Sequence, residues 1–149
     1  MANEFYRNIV IATDGSENTK KAISYGINFA KFSGASVYAL HVMDTSSLTQ
    51  SWTPGKELII ELLKKEGQKA ISKVKECGEA SGVDVKEILM EGHPCKEIID
   101  FAENNDIDLI VMGTLGKTGL NRFLMGSVAE KVVRNSKVPV MVVRSEELD

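Results

Sequence analysis

The amino-acid sequence predicts an α/β fold, a doubly wound parallel sheet of five strands with helices on both faces. Three observations carry this prediction. Short apolar, β-branched runs alternate with longer amphipathic stretches in the order β-α-β-α-β-α-β-α-β. Strands separated by helices run parallel, because each crossover returns the chain to the same end of the sheet. The strand runs are apolar throughout rather than alternating, as a sheet covered on both faces requires.

Asn8-Ile9-Val10-Ile11-Ala12 has the length and branching of a buried strand, and it ends at Thr13-Asp14-Gly15-Ser16. Asp14 and Ser16 are suited to capping a helix, on which Ala22, Ile23, Tyr25, Gly26, Ile27, Phe29 and Ala30 share a face. Gly34 closes that helix, and Ala35 to Val42 reads as the second strand. Met43 to Thr53 is polar and aperiodic, a loop whose Trp52 either packs on the next helix or shields a bound base. Thr53-Pro54 offers an N-cap followed by proline at the first helical position. The helix it opens carries a stripe from Leu58 and Ile59 through Ile71, Val74 and Cys77 to about Ala80.

Val83, Val85, Ile88 and Leu89 form a third strand ending at Glu91-Gly92. His93-Pro94 opens a helix with Ile98, Ile99, Phe101 and Ala102 on its inner side, and Ile107 to Met112 is the fourth strand. Gly126-Ser127 begins the last helix, through Val128, Val132 and Val133, and Val138 to Val143 is the fifth strand.

Composition narrows the functional classes. The 149 residues carry a net charge of −3, with 43% hydrophobic and 26% charged residues. That balance argues against a disordered, collagen-like or coiled-coil chain, and one domain of this size buries a full core. No apolar window approaches ~18 residues, and Met1 to Tyr6 is too short and mixed for a signal peptide, so a soluble, cytoplasmic protein is expected. The mild acidity supplies no basic face for nucleic acid. Cys77 and Cys95 lack the spacing of a metal site or a disulfide framework. Cys77 reads as core, while Cys95, at a helix start, stands between a buried and a reactive thiol. His41 and His93 have no second histidine close in sequence and read as non-metal residues.

Open parallel sheets bind ligands beyond the carboxyl ends of the strands, where strand order reverses. The segment after the fourth strand is the most informative, because glycines at 113, 116, 119 and 126 lead to Ser127 at a helix start. Glycine permits positive φ and close approach of main chain to an anion, and the helix start supplies free N–H groups and about half a positive charge. Lys117 and the Ser127 hydroxyl add to a phosphate cradle. A P-loop is rejected, since its first glycine falls on Val111, and Thr13 to Ser16 lacks a GxGxxG spacing.

The spacing Gly113-x2-Gly116-x9-Gly126-Ser127 resembles the signature of the universal stress protein family in its ATP-binding branch. The likeness runs from Asn8–Ser16 through Ser127–Val133 to Val138–Val143. It implies a Rossmann-like, adenine nucleotide alpha hydrolase-like sheet of order 3-2-1-4-5. It implies adenine near Ala12, Thr13 and Val42, with Asp14 near the polyphosphate and its Mg²⁺ or Mn²⁺. Ribose and phosphates then lie along Met112, Gly113, Gly116, Lys117, Thr118, Gly119, Gly126, Ser127 and Val128. A carboxylate facing a triphosphate is repulsive unless a divalent ion lies between them. Asp14 has the plainer alternative of a helix cap, and Lys117 that of a solvated surface lysine.

The apolar fifth strand, an edge in this order, is expected to pair with a second copy, as family members commonly do. The function expected is a nucleotide-dependent regulatory switch in stress response, holding ATP, ADP or AMP and acting on a protein partner. The alternatives are a slow, partner-assisted ATP hydrolase and a nucleotide-free dimeric scaffold.

Overall fold

The computed structural model describes residues 5–46, 48, 54–114 and 125–145. Five parallel strands, β1 (Asn8–Ala12), β2 (Ser36–Asp44), β3 (Val85–Gly92), β4 (Leu109–Gly113) and β5 (Val140–Val143), form one sheet of order β3-β2-β1-β4-β5. The helices are α1 (Lys20–Ser33), α2 (Lys56–Ala80), α3 (Pro94–Asn104) and α4 (Ser127–Asn135). The chain winds outward from β1 to β3, then returns past β1 to lay down β4 and β5. Right-handed crossovers therefore place α1 and α2 on one face and α3 and α4 on the other.

Side-chain alternation along the strands divides the core accordingly. Ile9, Ile11, Val37, Ala39 and Val111 pack against Ile27 of α1 and Ile71 and Val74 of α2. Val10, Ala12, Leu40, Ile110 and Met112 pack against Ile98 and Phe101 of α3 and Val132 of α4. The first face admits α2 closely because two of its contact positions, 67 and 78, are glycines. A Cβ on Gly67 would lie 2.5 Å from Leu89 Cδ1, and one on Gly78 would collide with Val85 Cγ2.

Several boundaries differ from the sequence reading. A 3-10 turn, Glu17–Thr19, precedes α1, and Ser16 at its head makes no side-chain capping bond. Asp14 caps no helix; its Oδ1 accepts the Ser16 N–H at 2.9 Å, closing an Asx turn. Pro54 lies in a turn before α2, whose N-cap is Gly55 at φ +76°, while Thr53 and Trp52 lie outside the described residues. The second strand runs on to Asp44, because β3 pairs with it as far as Gly92. The fourth begins at Leu109, and Asp108 ties its base to β1 by accepting the N–H groups of Arg7 and Asn8 at 2.8 and 3.0 Å. At the fifth strand, the Val138 N–H is taken by Ser136 Oγ at 3.0 Å, so pairing starts later than the apolar run.

Candidate functional site

Strand order reverses between β1 and β4, and a cavity of about 360 Å³ opens at their carboxyl ends on the α3/α4 face. Its size falls within the ~300–1,000 Å³ common for small-molecule sites. Of the residues named from sequence, Ala12, Thr13, Asp14, Val42, Met112, Gly113, Gly126, Ser127 and Val128 all line it. They come from β1, β2, β4 and α4, and only the register of the sheet brings them together. Gly116, Lys117, Thr118 and Gly119 lie outside the described residues.

The cavity has an apolar floor and a polar rim. Val42, Ile98 and Met112 supply apolar surface at the sheet, backed by the fully buried Leu40, and suit an apolar or aromatic group. Thr13, Thr114 and Ser127 supply hydroxyls, and among the described residues the ionisable lining side chains are Asp14 and Asp44. Asp44 was not singled out from sequence. It stands on the last residue of β2, two positions beyond Val42 and hence on the same face, and that period-two relation was its available signal. Its Oδ1 accepts both the Ser46 N–H and the Ser46 hydroxyl, at 3.2 and 2.6 Å. Pro94, after the third strand, lies where such a fold is expected to bind a ligand, whereas nothing in the local sequence of Thr19 and Ile98 marks them as lining residues.

The start of α4 faces the cavity. Its first intrahelical bond runs from the Glu130 N–H to Gly126 O at 2.9 Å, so the N–H groups of Ser127, Val128 and Ala129 precede the ladder. Those residues all line the cavity, and the helix dipole places partial positive charge there. Gly126 adopts φ −60° and ψ 156°, and Gly113 is not among the residues at positive φ. Neither therefore uses the left-handed conformation expected of these glycines. The Gly126 N–H instead bonds to Thr114 O at 2.5 Å, which fastens the helix start to the end of β4.

At the β1 end, Thr13 is held on every polar group. Its N–H reaches Leu40 O at 3.0 Å, its hydroxyl accepts the Gly15 N–H at 3.0 Å, and its carbonyl accepts from His41 Nδ1 at 2.8 Å. The Thr13 N–H and carbonyl, at the position where the resemblance puts adenine, are thus both engaged within the protein. Cys95, in the first turn of α3, is buried, and desolvation raises its pKa above the ordinary 9.0 against the opposing charge of Lys131. It is a core thiol. Cys77 is half-buried and packs with the α1/α2 cluster. His93 is exposed at the N-cap of α3, where its carbonyl receives the Glu97 N–H at 3.0 Å. Among the described residues, no group of three His, Cys, Asp or Glu side chains is placed to hold a metal, and no helix is long and apolar enough to cross a membrane.

Comparison with known proteins matches residues 5–144 to the model of the universal stress protein family. Universal stress protein MJ0531 of Methanocaldococcus jannaschii is 51% identical over 140 residues, spanning 93% of this chain and 82% of that protein. The solved structure of MJ0577 from the same organism superposes with a TM-score of 0.84 at 33% identity, covering 97% of this chain and 99% of that one. A universal stress protein from Archaeoglobus fulgidus, solved in complex with dAMP, superposes with a TM-score of 0.69 at 26% identity, covering 94% and 99%.

Proposed function

This chain belongs to the universal stress protein family, and we propose that its crevice holds an adenine nucleotide whose occupancy sets the state of a regulatory module. The observation that carries the reading is the meeting of an apolar slot, from β1, β2 and β4, with the free N–H groups of α4 in one cavity. That pairing suits a ligand with an aromatic base at one end and an anion at the other. The dAMP complex of the Archaeoglobus relative supports the same chemistry.

In this reading the base lies against Val42 and Met112, and the phosphates extend toward Gly126, Ser127 and Val128. The residues in hand fit such a ligand in volume and in donors. Two carboxylates on the rim, Asp14 and Asp44, oppose a bare polyphosphate, so a divalent ion belongs with the longer nucleotides. Asp14 Oδ1 is engaged by Ser16, which leaves Oδ2 to face Mg²⁺ or Mn²⁺, directly or through water. When bound, the ion neutralises phosphate charge beside these carboxylates. Gly116, Lys117, Thr118 and Gly119 are assigned to the phosphates by the signature spacing alone. Pairing of β5 with a second copy is part of the proposal, because the strand is an edge with Val140, Met141 and Val142 only half-buried.

Titration calorimetry with ATP, ADP and AMP, with and without Mg²⁺, tests the reading. Micromolar binding of at least one nucleotide is expected, with Mg²⁺ strengthening ATP most. No heat and no retained nucleotide up to millimolar concentration would favour the scaffold alternative. Single-turnover assays should show hydrolysis far below the usual ~10 s⁻¹ of enzymes, and turnover near that figure would make this a hydrolase. Light scattering should report a dimer that Val142→Lys dissociates.

A further inference from the structure

We infer that His41, on the sheet face opposite the cavity, is a positioning residue for the nucleotide site, and that Gly67 of α2 is the notch that seats it. The inference rests on the nucleotide-binding reading above and extends it to residues that do not line the cavity.

His41 follows Val37 and Ala39 along β2 at intervals of two, so it points to the α1/α2 side, whereas Leu40, Val42 and Asp44 point into the cavity. Its Nδ1 lies 2.8 Å from the Thr13 carbonyl, and both residues are buried. A carbonyl can only accept, so Nδ1 carries the proton and the tautomer is fixed by its partner. The ring fits because α2 has no side chain at 67: a Cβ there would sit 2.8 Å from His41 Cδ2.

The bond matters for where it acts. Thr13 is the pivot between β1 and the turn that carries Asp14 to the rim. With its carbonyl held by His41 and its N–H by Leu40, the Thr13 hydroxyl is aimed to receive the Gly15 N–H and to meet Thr19 Oγ1 at 3.0 Å. That geometry lets Asp14 Oδ1 take the Ser16 N–H. Gly15, at φ +83°, brings the turn against α2 as well, where a Cβ would lie 3.1 Å from Ala70 Cβ. The back of the sheet thereby sets the position of a carboxylate on its front. A histidine that only satisfied a buried carbonyl would contribute to stability alone.

Two readouts separate these roles, taken on the full chain with Mg²⁺-ATP as the probe. In folded His41→Leu, amide exchange at Gly15 and Ser16 should speed up about tenfold relative to α4, and ATP affinity should fall about tenfold. His41→Asn, whose amide N–H can reach the same carbonyl, should restore both to within about threefold. Nitrogen-15 imidazole shifts of the parent should show Nδ1 protonated. Unchanged exchange and unchanged affinity in folded His41→Leu would overturn the inference, as would a ring protonated at Nε2 alone. If His41→Leu does not fold, Gly67→Ala, which crowds the ring without removing the donor, should show the same two losses in weaker form; neither loss there would equally overturn it. A parent that binds no nucleotide would defeat the functional reading only, because the exchange and tautomer measurements still decide the role of His41.

Discussion

On the α1/α2 face, helix backbone lies directly on strand side chains, with Gly26 against Ile11, Gly67 against Leu89 and Gly78 against Val85. On the α3/α4 face the helices are shorter, 11 and 9 residues against 14 and 25, and a cavity remains where the strands end. The same sheet is thus in helix contact along one side, and on the other it is packed over its length but opens into a cavity at the strand ends. Close packing makes the first face intolerant of added atoms. The second face has room for a ligand, and the start of α4 supplies N–H groups that precede its helical ladder. Both faces carry a buried core, while the cavity belongs to the α3/α4 face, and the Thr13–Ser16 turn joins the two.

The contrast can be broken most directly at Gly78. Gly78→Val adds three carbons against Val85 and within reach of Val83 O, so we expect a loss of about 3 kcal/mol, measured by urea unfolding. Retained stability would show that the α1/α2 face has slack. Gly126→Val probes the cavity face, where the backbone at φ −60° and ψ 156° accepts valine. Its stability should change by no more than ~1 kcal/mol, the scale of an N-cap substitution. ATP affinity should fall about 30-fold, roughly 2 kcal/mol. Unchanged affinity would remove the α4 start from the site.

Asp14→Ala sharpens the comparison at the joint between the faces. Loss of the acceptor for the Ser16 N–H should cost about 1 kcal/mol of stability. The same variant should lose the strengthening of ATP binding by Mg²⁺, seen by titration with and without the ion. If only stability changes, Asp14 serves the turn and not the ligand.

The smallest effect comes from the cysteines, one against each face. Burial raises the Cys95 pKa in the folded state, so that state binds a proton more tightly than the unfolded chain does. The stabilisation is complete below the unfolded value near 9.0 and fades as pH rises through the higher folded value. Urea midpoints should therefore decline slightly above pH 9, and Cys95→Ala should flatten the decline. Under native conditions Cys77, half-buried, should react with iodoacetamide before Cys95.

Much of the crevice is legible along the chain because its parts are local. The apolar run of β4 ends at Gly113, and a helix must start where its first N–H groups are free, so Gly113 and Gly126-Ser127 mark both edges of a site. The parts that stay hidden are those joined through register. Asp44 shares a cavity with Asp14 only because β2 pairs with β1, although its two-residue spacing from Val42 marks the face it stands on. Nothing near Asp108 signals that it receives Arg7 and Asn8, about a hundred residues away. Thr53-Pro54 shows the opposite error, a strong local helix signal where the helix in fact begins at Lys56 after Gly55.

By itself the sequence determined the succession of strands and helices, the parallel sheet and the two glycine edges of the crevice, because hydrophobic period and turn chemistry act over a few residues. Tertiary structure alone decided on which face the strand-end cavity opens. Strands such as Ile9–Ala12 are apolar on both sides, and only the handed return of the chain assigns each side its helix. It also decided that His41 meets Thr13 across 28 positions, a contact set by the pairing of β1 with β2.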